Sequence, residues 1–309
     1  MDNICHSLVG AALAECGLRR RTRYATAALV LGANFPDIDV VAVFTEHGLG
    51  FRRGITHGIP ALIVLPLVLT GLLVLYDWFW GRRTKPATYV DAGELLTLSA
   101  LAMVTHPVLD WLNIYGMRWL MPFDGTWTYG DSLFIVDPWL YLLLGSAWLV
   151  GWRLRRAREG ARPAGERFAR VLTGAATAYV VVMMVVTAMG RAAAARELGL
   201  DRPTRRQLMV APPFFASWRR EVVVDSGSSY RMGAIDWLPR PSVTLSPVTI
   251  PKQLQLIEDL PRTVPLADLL DWGRFLYARE VGDAVLVDDL RYARGGRSFA
   301  GVVVEGGRR

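Results

Sequence analysis

Residues 59–80 read IPALIVLPLVLTGLLVLYDWFW, a run of 22 residues with one charged side chain, Asp77. A helix of this length rises about 33 Å, enough to cross the roughly 30 Å hydrocarbon layer of a bilayer. Residues 171–190, VLTGAATAYVVVMMVVTAMG, form a second apolar run with no charge. These two stretches predict an integral membrane protein.

Four weaker apolar segments accompany the two strong ones, at residues 3–17, 24–35, 95–109 and 133–152. Together they predict an α-helical polytopic membrane domain of about six helices, of which four to six span the bilayer. The whole chain has 309 residues, is 52% hydrophobic and has a mean hydropathy of +0.27. This composition suits a membrane protein that also carries a soluble part.

The basic residues indicate the orientation of the helices. The formal charge is +7, and most of the excess lies in alternate loops. These loops carry Arg19, Arg20, Arg21 and Arg23; Arg82, Arg83 and Lys85; and Arg153, Arg155, Arg156, Arg158, Arg162, Arg167 and Arg170. The positive-inside rule makes that side cytoplasmic. Because topology accounts for most of the basic excess, the charge does not indicate nucleic-acid binding, and we expect no nucleic-acid partner.

The sequence changes character from about residue 200 onward. Residues 221–225, 242–245 and 301–305 are rich in β-branched side chains between turn residues and predict strands, while residues 265–279 could form one helix. We therefore expect two domains: residues 1–192, a helical membrane domain with a metal site, and residues 193–309, a small strand-rich α+β domain. The predicted topology puts the second domain on the extracytoplasmic side.

Histidines and aspartates collect at the same predicted outer face. The predicted helix at residues 24–35 ends in Asn34-Phe35-Pro36-Asp37-Ile38-Asp39. His106 and Asp110, at i and i+4, share one helix face. Such groups are expensive near hydrocarbon and usually mark function, although each alone is more often structural. Their convergence predicts a metal site whose ligands are His6, Asp37, Asp39, His57, His106 and Asp110. His47 lies at the same face but lacks chelate spacing, so it is left out.

Nitrogen and oxygen ligands favour zinc, with manganese or iron as alternatives, and six ligands allow one or two ions. Asp37 and Asp39 either serve two metals, or one serves a metal and the other a ligand histidine. Further ligands or supporting groups are expected among Asp2, Asn34, Asp131 and Asp137. For Asp137 the alternative is a carboxylate at the start of a helix, favoured by the helix dipole.

Arg52 and Arg53 run against the positive-inside trend. A guanidinium beside a metal suits a phosphate or carboxylate group, so Arg53 is predicted to hold an anionic substrate group. The alternatives are an anchor to a lipid headgroup or a salt bridge to Asp37 or Asp39.

Several short motifs recur in order over about residues 1–190: Met1-Asp2 with His6-Ser7-Leu8-Val9-Gly10, the Asn34–Asp39 stretch, Arg53-Gly54-Ile55-Thr56-His57, His106-Pro107-Val108-Leu109-Asp110-Trp111, Tyr115-Gly116, Pro122-Phe123 and Ile135-Val136-Asp137-Pro138-Trp139. With them the chain resembles the YdjM-like membrane-bound metal-dependent hydrolases. The site is also similar to part of the zinc-dependent phospholipase C and single-strand nuclease superfamily. That similarity implies a phosphoesterase-like metal site with His6, Asp37 or Asp39, His57, His106 and Asp110 as ligands. The chain has no histidine after His106, where those enzymes have further ligands.

The sequence thus predicts a multi-pass inner-membrane hydrolase with its metal site on the extracytoplasmic side. Metal-activated water would attack a phosphoester or ester, with a lipid as a possible substrate. Asp39 would act as general base if it is not a ligand. One rival is a non-catalytic, metal-stabilised membrane protein that binds a partner through its C-terminal domain. A transporter ranks last, because residues 59–80 and 171–190 hold almost no polar groups. The oligomeric state stays open.

Overall fold

A computed structural model of the protein describes residues 1–44, 48–84, 89–157, 162–293 and 300–305. The chain forms two compact units. The first, here called the membrane unit, contains Met1–Asp39 and Arg53–Met184. The second, here called the C-terminal unit, contains Val40–Arg52 and Val185–Arg309. The short segment 40–52 therefore belongs with residues far along the chain.

The first two thirds of the chain are helical. The α-helices are α1 (Asn3–Glu15), α2 (Ala25–Gly32), α3 (Gly48–Phe51), α4 (Ile59–Tyr76), α5 (Arg82–Thr84), α6 (Ala92–Trp111), α7 (Pro138–Ala157) and α8 (Arg162–Glu197). Leu18–Arg20 and Phe35–Phe44 form 3-10 helices, and Asp77–Gly81 forms a π-helical turn after α4. α8 rises about 54 Å over its 36 residues and continues from the membrane unit into the C-terminal unit.

Three helical segments among the described residues are long and apolar enough to cross a membrane: Ile59–Gly81, Ala92–Trp111 and Arg162–Glu197. Ala25–Gly32 with Phe35–Ala42 makes a fourth if this bent pair is one span. The finding confirms a helical membrane region, while the predicted number of four to six spans and their sidedness stay predictions. α7 falls outside this set; its last turns carry Arg153, Arg155 and Arg156.

The helices of the membrane unit pack through small and apolar side chains. α6 lies against α2 and α4, and α1 lies against α2 and α7. Leu29, Leu95 and Met103 form part of the buried core. Gly10 allows the close approach of α1 to α2, because a Cβ atom there would lie 2.5 Å from the carbonyl oxygen of Leu29. Outward side chains of α4 such as Ile63 and Leu67 are exposed, as expected of a surface in contact with lipid.

Ion pairs collect where α1 ends, α7 ends and α8 begins. Arg155 bonds to Glu15 at 2.8 Å, and Arg20 bonds to Glu166 at 3.0 Å. Arg23 pairs with Asp77 at 2.9 Å, beyond the end of α4. Arg20, Arg23 and Arg155, three of the basic residues used to predict orientation, thus lie at one end of the membrane unit. The start of α1, the start of α4 and the end of α6 lie at the opposite end.

The C-terminal unit contains two antiparallel sheets. β1 (Leu208–Ala211), β2 (Glu221–Asp225), β3 (Ser229–Asp236) and β4 (Ser242–Pro251) form one sheet, and β5 (Leu276–Val281), β6 (Ala284–Asp289) and β7 (Val302–Glu305) form the other. Two short helices, α9 (Gln255–Glu258) and α10 (Val264–Trp272), lie between them in sequence. The last turns of α8 cover the first sheet, since Ala194 packs with Leu208, Val222 and Ile235. These sheets confirm the predicted strand-rich C-terminal part.

One predicted helix ends early. By their local pattern residues 265–279 could form one helix, but α10 ends at Trp272 and Leu276 begins β5. Asp289 explains the change, because its carboxylate accepts hydrogen bonds from the backbone N–H groups of Arg274 and Phe275. Leu276 then pairs with Asp289 in the β5–β6 ladder. A partner distant in sequence overrides the local helical pattern.

Candidate metal centre

Four buried side chains converge at one end of the membrane unit. Asp37 lies in the 3-10 helix after α2, His57 precedes α4 by two residues, and His106 and Asp110 lie near the end of α6. Each offers one ligand atom, and these atoms all lie within 4.8 Å of one another. This cluster is a candidate site for a metal ion.

The spacing of these atoms fits one small cation. The Nε2 atoms of His57 and His106 are 3.1 Å apart, and each lies 3.5 Å from Oδ2 of Asp110. Oδ1 of Asp37 lies 3.6 Å from the His57 nitrogen and 3.7 Å from the His106 nitrogen. Tetrahedral zinc, with bonds of about 2.0–2.1 Å, holds neighbouring ligand atoms about 3.3 Å apart.

His106 is oriented for metal binding. Its Nδ1 lies 2.6 Å from the carbonyl oxygen of Ala33, which can only accept, so Nδ1 carries the hydrogen. In the neutral ring Nε2 then presents a lone pair to the centre of the cluster. A backbone carbonyl behind a histidine is a common support in metal sites, because it fixes both the tautomer and the ring plane.

His57 is supported by a carboxylate instead. Its Nδ1 lies 3.3 Å from Oδ2 of Asp39, which also accepts the backbone N–H of Arg53 at 2.8 Å. Burial lowers the pKa of His57, but hydrogen bonds to Asp110, Asp37 and Asp39 outweigh burial and raise the pKa to about 10. The carboxylates therefore favour a positive charge at this point, which either a proton on His57 or a metal ion can supply.

Arg53 holds Asp110. Its Nε and one terminal nitrogen meet the two carboxylate oxygens at 2.9 and 3.0 Å, and its other terminal nitrogen donates to Oδ1 of Asn113 at 3.0 Å. The guanidinium also stacks over the ring of Tyr115, 4.4 Å from its centroid. The expected roles of Arg53 as an anion-binding group and of Asp39 as a general base stay predictions. In the structure Arg53 pairs with Asp110, and Asp39 lies against His57.

His6 lies beside the cluster and not within the group of four. Its ring stacks on that of His106 with centroids 3.8 Å apart, and its Nε2 lies 3.3 Å from Oδ1 of Asp110. The amino group of Met1 bonds to the same oxygen. His6 thus contacts Asp110 through the oxygen that faces away from His57 and His106.

The other predicted residues lie outside the group of four. Asp2 caps α1 by accepting the N–H groups of Ile4 and Cys5, at 3.0 and 3.2 Å. Asn34 donates to Ser7 and to the carbonyl oxygen of Val30. Asp131 is fully buried, with a left-handed φ of 54°.

Asp137 lies at the start of a helix, which was the alternative to a role at the metal site. Its Oδ1 accepts the N–H groups of Trp139 and Leu140 at the start of α7, at 3.0 and 3.1 Å. Its Oδ2 accepts the hydroxyl of Tyr179 at 2.8 Å. It is therefore a helix cap that also ties α7 to α8.

Three supporting residues were missed by the sequence analysis. Asn3 donates to Oδ2 of Asp37 at 2.8 Å, Thr56 lies between His57 and Asp39, and Asn113 bridges Arg53 and the backbone of Tyr115. All three stand next to or within three residues of a predicted site residue. Polar residues within three positions of a predicted site residue are the signal that would have identified them.

Comparisons with known proteins bear on the membrane region. Uncharacterized protein YfhP of Bacillus subtilis (strain 168) is 27% identical over 117 residues, which are 37% of this chain and 33% of that protein. The matched stretch is thus about a third of the relative's length. No solved structure matches the chain. The profile of the YdjM inner membrane protein family matches residues 1–192, which hold all four clustered ligands. The chain therefore belongs to the YdjM inner membrane protein family.

Proposed function

We propose that this protein is a metal-dependent hydrolase of the inner membrane that cleaves a phosphoester or carboxylic ester, in a lipid, at the extracytoplasmic face. One observation carries the proposal. Two histidine Nε2 atoms, 3.1 Å apart, point at each other between the carboxylates of Asp37 and Asp110. Two lone pairs facing each other at this distance repel unless a cation or a proton lies between them.

Asp37, His57, His106 and Asp110 would hold the ion, with His6 beside it as a candidate ligand for a second. A divalent cation bound there would polarise a phosphoryl or carbonyl oxygen and lower the pKa of a nearby water. Asp39 and Arg53 enter the proposal as positioning residues, since they hold His57 and Asp110. Zinc suits this ligand set best, with manganese or iron as alternatives.

The surroundings of the ligands favour a lipid substrate. Three of the segments that carry predicted site residues, around residues 2–6, 37–39 and 53–59, also carry exposed isoleucines. Ile4, Ile38, Ile55 and Ile59 have exposed fractions of 44–63%, and they alternate with Asp2, Asp37, Asp39 and His57. An exposed apolar rim is unfavourable beside water but suits the acyl chains of a lipid. A lipid headgroup would then be the part of the substrate that reaches the polar cluster.

The test measures metal content and lipid hydrolysis on full-length protein in detergent or nanodiscs. Wild type should carry one or two equivalents of zinc or manganese, and a His57→Ala/His106→Ala variant should carry none. Asp77→Asn is the matched control, because Asp77 is a buried, ion-paired aspartate at the opposite end of the unit. Wild-type protein that neither contains nor takes up metal would refute the proposal.

A second function, a non-catalytic protein stabilised by its metal, is favoured by one feature. Four protein ligands can fill a tetrahedral shell, as in structural zinc sites, whereas catalytic zinc keeps an open position. Cobalt-substituted protein separates the two functions. Inorganic phosphate or azide should shift the visible absorption of cobalt in a hydrolase with an open position. An unchanged spectrum, with no hydrolysis of any phospholipid or lipid ester, would favour the structural metal.

A further inference from the structure

Two loops lie together at one end of the four-stranded sheet in the C-terminal unit. Residues 212–220 join β1 to β2, and residues 237–241 join β3 to β4. Antiparallel pairing of neighbouring strands brings both connections to the same end of the sheet. The indole N–H of Trp237 donates to the carbonyl oxygen of Trp218 at 2.9 Å, which ties one loop to the other. These two segments are here called the paired loops.

The paired loops expose large apolar side chains. The exposed fractions are 50% for Phe214, 59% for Phe215, 61% for Trp218 and 87% for Leu238. Phe215 also adopts a left-handed φ of 66°, which is unfavourable for a residue with a side chain. A group of exposed aromatic and aliphatic side chains is unfavourable beside water and usually marks a surface that contacts something else.

The position of the paired loops along α8 indicates what they contact. The final turns of α8 belong to the same compact unit as the sheet. A Cβ atom at Gly190 of α8 would lie 3.2 Å from Val210 and 3.3 Å from the ring of Trp237. Gly190 is the last residue of the charge-free run 171–190 in this candidate membrane span. The loop end of the sheet therefore lies at the level where the apolar part of the span ends.

The composition of the paired loops suits the boundary between lipid and water. Aromatic side chains are enriched at this boundary, where the ring lies among the headgroups. Arg219 follows Trp218 directly, Arg240 follows Leu238 by two residues, and both arginines are exposed. A guanidinium beside an inserted apolar side chain is well placed to bond to a lipid phosphate.

From these observations we propose that the paired loops insert into the membrane interface beside α8 and bind the phospholipid surface. The apolar side chains of both loops enter the headgroup region, and the two arginines contact lipid phosphates. This contact holds the C-terminal unit against the bilayer at a second point besides α8. It is separate from hydrolysis and does not depend on the metal centre.

The test places single nitroxide labels on full-length protein in nanodiscs of phosphatidylethanolamine and phosphatidylglycerol. Phe215→Cys and Leu238→Cys, each in a Cys5→Ala/Cys16→Ala background, put one label on each loop. Oxygen concentrates in lipid whereas a nickel chelate stays in water, so oxygen should relax both labels more strongly than the chelate does. Ser228→Cys is the matched control, because it lies in the exposed β2–β3 turn at the opposite end of the same sheet. Its label should show the reverse order.

Two outcomes would overturn the proposal. Labels on the paired loops that the chelate reaches as readily as it reaches the control label would mean that the loops lie in water. Labels that neither oxygen nor the chelate reaches would mean that protein, and not lipid, covers the loops.

Tryptophan fluorescence tests the same contact without labels, should the cysteine variants fail to fold. In nanodiscs of brominated phospholipids, bromine quenches indoles that touch the lipid. The part of the emission that is lost on Trp218→Phe should be strongly quenched. The part lost on Trp272→Phe should not be, because Trp272 is fully buried within the same unit. Equally weak quenching of both parts would contradict insertion of the loops.

Discussion

Arg53 and Asp110 form a two-point ion pair at the metal centre. The guanidinium meets both carboxylate oxygens, at 2.9 and 3.0 Å, with both partners almost fully buried. Lysine keeps the charge of arginine but cannot provide two parallel donors. A lysine at position 53 should therefore hold the Asp110 carboxylate less firmly than arginine does.

We expect Arg53→Lys to raise the dissociation constant of the metal on the order of tenfold, because Asp110 loses its fixed orientation. The measurement is competition with a chromophoric chelator. Arg23→Lys is the matched control, since Arg23 pairs with buried Asp77 at the opposite end of the unit. Equal metal affinities in the two variants would contradict the positioning role of Arg53.

Asp289 gives the C-terminal unit a pH-dependent contribution to stability. Burial raises its pKa, but Arg291 and the backbone N–H of Arg274 outweigh burial and hold the pKa below its usual range. Because the folded pKa is lower than the unfolded one, the stabilisation is complete above about pH 4 and is lost as the pH falls further.

Asp289→Asn should therefore destabilise the C-terminal unit at neutral pH, by about 3–5 kcal/mol, because Arg291 stays buried without its carboxylate. The difference from wild type should shrink as the pH falls below 4. The difference in stability can be measured by hydrogen exchange of the backbone amides of β5 and β6, corrected for the intrinsic pH dependence of exchange. A difference that stays constant down to acid pH would contradict the assignment.

At the scale of elements, α7 begins where Asp137 caps it. Replacing a capping carboxylate by alanine usually destabilises a protein by about 0.5–2 kcal/mol. Asp137→Ala should therefore lower the melting temperature in detergent and leave the metal content unchanged, whereas Asp110→Ala should abolish metal binding. Tyr179→Phe should have a smaller effect in the same direction, since Asp137 keeps its bonds to Trp139 and Leu140. Loss of metal from Asp137→Ala would instead indicate that Asp137 is a ligand or a supporting group of the metal site.

Elements determined by local pattern could be predicted from the sequence. Hydropathy alone indicates α4 and α8, and the i, i+4 spacing of His106 and Asp110 indicates a shared helix face. The end of α10 at Trp272 could not be predicted, because it depends on Asp289, which lies 17 residues further along the chain. Contacts between residues distant in sequence leave no periodic signal.

The candidate site divides in the same way. Convergence of histidines and aspartates at one end of the helices follows from topology and from the order of the motifs. Which of these residues are ligands and which are supporting residues cannot be predicted from the sequence, because the distinction depends on side-chain geometry. Asp37 and Asp39 are two residues apart, yet Asp37 lies within the group of four and Asp39 contacts the far side of the His57 ring.

For the whole molecule, the charges predict a single orientation in the membrane. The ion-paired arginines lie at one end of the membrane unit and the candidate metal centre at the other. Because basic residues are retained in the cytoplasm, the end with the metal centre should face outward. An α8 that crosses the membrane once would then place the C-terminal unit on the outer side as well.

Single cysteines in a Cys5→Ala/Cys16→Ala background test this orientation. In spheroplasts, an impermeant maleimide should label Phe123→Cys, whose native side chain is 85% exposed, and Glu280→Cys in the C-terminal unit. It should label Arg82→Cys, at the basic end, only after the membrane is opened. Labelling of Arg82→Cys alone in sealed cells would reverse the orientation and place the metal centre in the cytoplasm. Labelling of Phe123→Cys without Glu280→Cys would mean that α8 does not carry the chain to the outer side.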